Sequence, residues 1–198
     1  MKNIFLIGDS IRHGSEACCS PGYGVFVRDG LKGRANVYMP KENCRFAQHT
    51  LRGIRDWAWE IRDVAPIMDV VHFNCGIWDI MPTKSGEPLT PVEFYVYLLE
   101  RIYKEIRILF PKARIVFALT TALLEKGGPV EKDGYNQRIE QYNAAARERL
   151  EPLGVEINDL YSLSSEFDVT YYANGDWVHQ NDKGAQILAD AVMQSVMK

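Results

Sequence analysis

Short, almost unbroken apolar runs recur along the chain, and longer amphipathic stretches separate them. Ile4-Phe5-Leu6-Ile7 and Ile115-Val116-Phe117-Ala118-Leu119 are the clearest. A strand with one wet face alternates apolar and polar residues; these runs do not, so they suit parallel strands covered on both faces. They are also far too short to cross a bilayer as helices. The same reading places strands at residues 3–7, 35–39, 69–73, 114–119 and 155–157.

Helical patterns lie between the strands. Residues 45–64 carry one, and Pro66 stops it. After residue 89 the signals are fuller. Thr90 can cap, Pro91 suits a first turn, and Glu93 completes a Thr-x-x-Glu capping box. Phe94, Leu98, Ile102 and Ile106 then recur every four residues and are expected on the buried face. A further helix is expected from Tyr135 to Leu150, closed by Pro152 and Gly154. The last begins near Asn181 and turns Ile187, Leu188, Ala191 and Val192 inward. Strands alternating with helices predict a parallel sheet with right-handed crossovers and helices on both faces. With 198 residues and no repeat, low-complexity tract or linker, residues 1–198 read as a single domain. Two Gly/Pro-rich stretches, 82–88 and 126–134, read as loops after strand C-termini, where open parallel sheets bind ligands.

Composition excludes more than it assigns. A formal net charge of -3 leaves no basic footprint, so neither nucleic acid nor an anionic membrane is expected as a partner. Met1-Lys2-Asn3 leads straight into the first strand without the apolar stretch and cleavage site of a secretory signal, so the chain reads as cytoplasmic. The four cysteines, Cys18, Cys19, Cys44 and Cys75, form no CxxC pair and are expected to be free thiols in a reducing compartment. Cys44 with His49 would be half a metal site, and nothing supplies the other half.

Two segments carry chemistry. Gly8-Asp9-Ser10 sits where the first strand ends and the chain turns toward a helix. A serine there lifts its hydroxyl above the C-terminal edge of the sheet and can aim its amide at a developing oxyanion. The plainer alternative is a strand-to-helix turn that Asp9 or Ser10 merely caps. Asp176-Trp177-Val178-His179 lies just before the last helix. A serine nucleophile needs a base within reach, and the base needs an acceptor that fixes its tautomer. A carboxylate three residues before a histidine, in a turn, meets the second need locally.

Together these segments resemble the SGNH, or GDSL, hydrolase family over almost the whole chain. The resemblance implies a three-layer α/β/α sandwich with a five-stranded parallel sheet, flavodoxin-like in architecture, which agrees with the strand count above. It implies Ser10 as nucleophile with Asp176 and His179 completing a triad, and Ser10 among the oxyanion donors. The middle blocks of the family pattern are altered. Its second block contributes a glycine amide; here that loop is Pro40-Lys41-Glu42-Asn43-Cys44, and the Cys44 amide is expected in that role, Gly53 falling inside the helix. The third block is usually Gly-x-Asn-Asp; here Asn74-Cys75-Gly76-Ile77-Trp78-Asp79 puts Trp78 in the register of the asparagine. An indole cannot replace the carboxamide. Asn74 is expected to donate from a shifted position.

Other residues have quieter expectations. Asp79 holds its loop by hydrogen bonds, and Arg12 and His13 form a solvated first helical turn. His72 is a satisfied sheet histidine, Trp57 and Trp59 face different ways, and Thr120 and Thr121 border the pocket. Trp78 and Trp177 are candidates to stack on a sugar ring, with loop packing as the alternative. The expected reaction is two-step acyl transfer on a small ester, an O-acetyl group on a carbohydrate above others, without metal or organic cofactor. Acyl-thioester or lysophospholipid hydrolysis and a non-catalytic carbohydrate-binding relative are the alternatives. A flavin or nucleotide binder would need a phosphate-cradling loop where Asp9 stands.

Overall fold

Ile4, Phe5, Leu6 and Ile7 are each no more than 1% exposed, because the strand that holds them is walled on both sides and both faces. This strand, β1 (Lys2–Ile7), pairs in parallel with β2 (Ala35–Tyr38) on one edge and β3 (Val70–Phe73) on the other. β4 (Arg114–Ala118) and β5 (Glu156–Asn158) extend the sheet in parallel, giving the order β2-β1-β3-β4-β5. The computed structural model describes residues 1–124 and 134–198. The expected loop over 126–134 therefore lies, up to residue 133, outside the described residues.

The period of two in each strand sorts side chains between two cores. Phe5, Ile7, Val71, Phe73, Ile115 and Phe117 face one side, where α3 (Ala47–Glu60), α5 (Val92–Leu109) and α6 (Tyr135–Leu150) cover them. Ile4, Leu6, Val70, Val116 and Ala118 face the other, under α2 (Tyr23–Gly30) and α8 (Asp182–Val196). The result, completed by the short helices α4 (Ile77–Ile80) and α7 (Leu160–Ser164), is the α/β/α sandwich with the five-stranded parallel sheet that the sequence predicts.

Several expected details shift. The capping box before α5 does not form: Pro91 occupies the cap with no side-chain bond, while the Thr90 amide donates to the Asp79 carbonyl at 3.0 Å. The buried face of α5 is Tyr95, Leu99, Ile102 and Ile106; Phe94 is 65% exposed. Strict spacing by four drifts about 40° per step around a helix of 3.6 residues per turn, so it leaves the core face within two turns. Steps of four, three and four do not. α8 behaves likewise, burying Ala185, Leu188, Ala189, Val192 and Val196 and leaving Ile187 and Ala191 half-buried. Pro66 sits inside a short 3-10 turn, Ala65–Ile67, a little past the end of α3.

Candidate active site

β1 ends at Ile7, and after Gly8 the chain enters the four-residue helix α1 (Ser10–His13). Asp9 is the cap, its Oδ1 accepting from the Ile11 amide at 3.0 Å. That leaves Ser10 in the first helical position, where a backbone N–H has no partner within the helix. Its amide makes no hydrogen bond to any described residue. Burial raises the Asp9 carboxyl to about 6, against the pull of the Ile11 amide, Asn74, His179 and Arg12.

The other half of the site is a turn closed by the Tyr172–Gln180 bridge and by the Ala173 amide on the His179 carbonyl at 2.9 Å. Asp176 Oδ1 accepts from the Val178 and His179 amides at 2.6 and 2.9 Å. Its Oδ2 is thereby aimed at His179 Nδ1, 2.9 Å away, and His179 Nε2 lies 2.8 Å from Ser10 Oγ. Ser10, His179 and Asp176 thus form one continuous line of contacts. Burial alone would raise the Asp176 carboxyl, but hydrogen bonds from the His179 ring, the Cys18 thiol and the two amides outweigh it and hold the group well below the usual carboxylate range. A carboxylate facing Nδ1 puts the ring proton on that nitrogen and leaves Nε2 as the acceptor toward Ser10.

Cys44 is not where its expected role requires. Its amide donates to the Gly8 carbonyl at 3.0 Å, so it has no hydrogen to offer a ligand. Its neighbour Asn43 borders the cavity instead: the side chain accepts from the Arg45 amide at 2.8 Å, and its own amide has no partner among the described residues. Asn74 is 5% exposed, and its Oδ1 accepts from the hydroxyl of buried Tyr23 at 3.0 Å, which leaves Nδ2 as the donor, with the Asp9 carboxylate within its reach. The carboxamide lies directly over Gly8. A Cβ there would fall 2.1 Å from Asn74 Oδ1.

Arg12, expected in solvent, is 2% exposed. Its guanidinium donates to the carbonyls of Pro40, Gly8 and Glu42 at 3.0, 3.0 and 2.9 Å and meets Cys44 Sγ at 3.2 Å. It ties the loop after β2 to the start of α1, work that neither segment announces alone. His13 is exposed. Asp79 holds its loop as expected, both carboxylate oxygens accepting from the Ala47 amide at the start of α3, and burial raises it to about 7. His72 is fully buried, its Nε2 3.2 Å from the Asn158 carboxamide, and burial, helped by the Arg114 charge, lowers it to about 3.

A cavity of about 630 Å³ opens beside Ser10 and His179, walled by Trp78, Trp177, Ile77 and Met81. Trp78 is 40% exposed, and Trp177 packs edge-on against Tyr135 with ring centres 5.6 Å apart. Thr120 and Thr121 are buried and take no part in the wall. Trp57 is buried and bonds Glu42 while Trp59 is exposed, so the two do face different ways. A larger hollow of about 800 Å³ between α3 and α5 contains none of the expected site residues. Cys18, which no motif marked, lies 3.3 Å from His179 Nδ1. Local sequence offers no signal for it, since the contact joins positions 161 apart.

The sequence model of the GDSL-like lipase/acylhydrolase family matches residues 6–187. The chain belongs to that family and is an ester-hydrolysing enzyme. Solved structures agree in fold. A protein described as a GDSL-like lipase from Parabacteroides merdae is 21% identical, with a TM-score of 0.74 over 99% of this chain and 95% of that one. The lipase/acylhydrolase from Enterococcus faecalis is 18% identical, with a TM-score of 0.73 over 99% and 95%. An acetyl xylan esterase, AlAXEase, is likewise 18% identical, with a TM-score of 0.73 over 98% and 99%. No curated protein sequence matches significantly. Among the described residues, no helix is long and apolar enough to cross a membrane.

Proposed function

We propose that the protein is a serine esterase that removes a small acyl group, an O-acetyl group above others, from a carbohydrate. The observation that carries the reading is the contact line from Ser10 Oγ through His179 to Asp176, at 2.8 and 2.9 Å. His179 Nε2 takes the Ser10 proton as Oγ attacks the ester carbonyl, and Asp176 stabilises the imidazolium. The Ser10 amide and Asn74 Nδ2 are the proposed oxyanion donors, with the Asn43 amide in place of that of Cys44. His179 then gives its proton to the leaving alcohol, and a water that it activates releases the acid from the acyl-enzyme. No step calls for a metal or organic cofactor.

The carbohydrate part is supported by the two indoles on the cavity wall, whose faces suit a sugar ring, and by the acetyl xylan esterase with the same fold. The test is hydrolysis of an aryl acetate and of an acetylated xylo-oligosaccharide by the wild type and Ser10→Ala. The variant is expected to lose at least ~10³-fold in kcat/KM on both. Equal rates would sink the triad. A preference for long-chain acyl esters or acyl thioesters over the acetylated sugar would overturn the substrate assignment and leave the triad standing.

A further inference from the structure

The geometry points to a second binding function in the same cleft: a thiophilic divalent cation of the zinc class, ligated by Cys18, His179 and Asp176, that reversibly switches the esterase off. Cys18 ends a short 3-10 turn, Glu16–Cys18, which follows α1 and runs beside the turn bearing the base. Its sulfur lies 3.3 Å from His179 Nδ1, and its thiol also reaches Asp176. The three ligand atoms fall within 4.8 Å of one another, and this is the one such group of three among the described residues. Tetrahedral zinc, with bonds of about 2.0–2.3 Å, sets its ligand atoms about 3.3–3.6 Å apart. The observed Sγ–Nδ1 and Nδ1–Oδ2 distances are 3.3 and 2.9 Å, so these two pairs need to open by only a few tenths of an ångström, and the third pair, Cys18 Sγ and the Asp176 carboxylate, lies within 4.8 Å. All three residues are half-buried, which leaves a fourth position for water.

The donor set selects the ion. Thiolate and imidazole favour zinc and its thiophilic neighbours, whereas magnesium and calcium prefer all-oxygen sites. Binding also has a definite effect on the base. The Cys18 thiol gives one proton to solvent and binds as thiolate. The cation takes the lone pair of Nδ1, so the single proton of the neutral imidazole moves through solvent to Nε2. Nε2 then carries a hydrogen toward Ser10 Oγ, 2.8 Å away, and cannot accept one. Asp176 turns an oxygen to the metal and no longer orients a free imidazole. Serine activation stops until the ion is removed. The inhibition, though not the binding, rests on His179 being the base of the proposed reaction.

The experiment uses the full chain as wild type, Cys18→Ser and Ser10→Ala. Zinc binding is measured by calorimetry, and Co2+ serves as a spectroscopic substitute whose thiolate charge-transfer band reports a Cys–metal bond. One zinc per wild-type chain is expected, with aryl acetate hydrolysis falling in step with occupancy and returning on addition of EDTA. Measured against its own metal-free rate, Cys18→Ser is expected to lose the cobalt band and to need at least ~tenfold more zinc for the same fractional inhibition. Inhibition of Cys18→Ser at the wild-type zinc concentration overturns the proposal, as does a wild type without the cobalt band. Ser10→Ala separates the two readings: if it still hydrolyses ester, the triad fails, while its cobalt band still decides whether the metal site exists.

Discussion

Asp176 divides its oxygens between two tasks, Oδ1 on the amides of its own turn and Oδ2 on the imidazole. An amide in its place keeps the shape but can present a donor to Nδ1 and invert the tautomer. Asp176→Asn is therefore expected to fold normally and to lose about 10⁴-fold in kcat, as seen when such a carboxylate is neutralised; retention of most activity in steady-state assays would show that the contact is idle. Asn74→Ala is expected to lower kcat by ~10²–10³ with little change in KM, the pattern of a group that acts only on the oxyanion. The three residues of the contact line were legible because each stands in a turn at the end of a regular element, where a short motif records geometry. The proposed oxyanion donors are not legible in the same way. Whether the amide of Asn43 or of Cys44 is free depends on which one the Gly8 carbonyl captures, and that partner lies 36 residues from Cys44. Arg12 is buried where the sequence predicts a solvated turn for the same reason, since most of its acceptors come from residues 40–44.

Elements explain how that loop keeps its place. α1 is only four residues long and cannot hold itself by propensity; its anchorage is the Arg12 guanidinium bridging Gly8 to residues 40–44. Truncation in Arg12→Ala would leave the Pro40 and Glu42 carbonyls without the guanidinium, the Gly8 carbonyl keeping the Cys44 amide, so a loss of about 2–4 kcal/mol in urea unfolding is expected, together with a fall in kcat as Asn43 drifts. A stability change below the noise of that measurement would mean that the clamp is redundant. Gly8 belongs to the same knot, and Gly8→Ala must displace both the Asn74 carboxamide and Arg12, whose Cβ is 2.7 Å from the new methyl. Strand positions could be read to within a residue or so because unbroken apolar runs have no other place to go than a doubly covered sheet. Helix faces were harder. In α5, a choice between two registers a residue apart decides whether Phe94 or Tyr95 enters the core, and only the neighbouring α3 and α6 settle it.

At the scale of the molecule, buried titratable groups set how stability answers to pH. Burial raises Asp79 from 3.8 to about 7, so between those values the native state holds a proton that the unfolded chain has released. Its contribution to stability is present at low pH and is lost as pH rises through 7. His72, lowered from 6.5 to about 3, works in the opposite sense: its contribution is present above 6.5 and is lost as pH falls toward 3. Asp79→Asn is accordingly expected to gain on the wild type as unfolding is measured from pH 5 up to pH 8. A stability difference that stays flat over that span would refute the assignment. The sheet order has a consequence of another kind. Ser10 and His179 stand 169 positions apart and meet only across the C-terminal edge of the sheet. During synthesis Ser10, the proposed nucleophile, is made well ahead of His179, its proposed base, and a polypeptide stopped between the two has nothing to arm the serine. On the proposed mechanism such aborted products are chemically silent, and turnover in a cell extract counts only molecules translated past His179 and folded so that β1 and that turn meet.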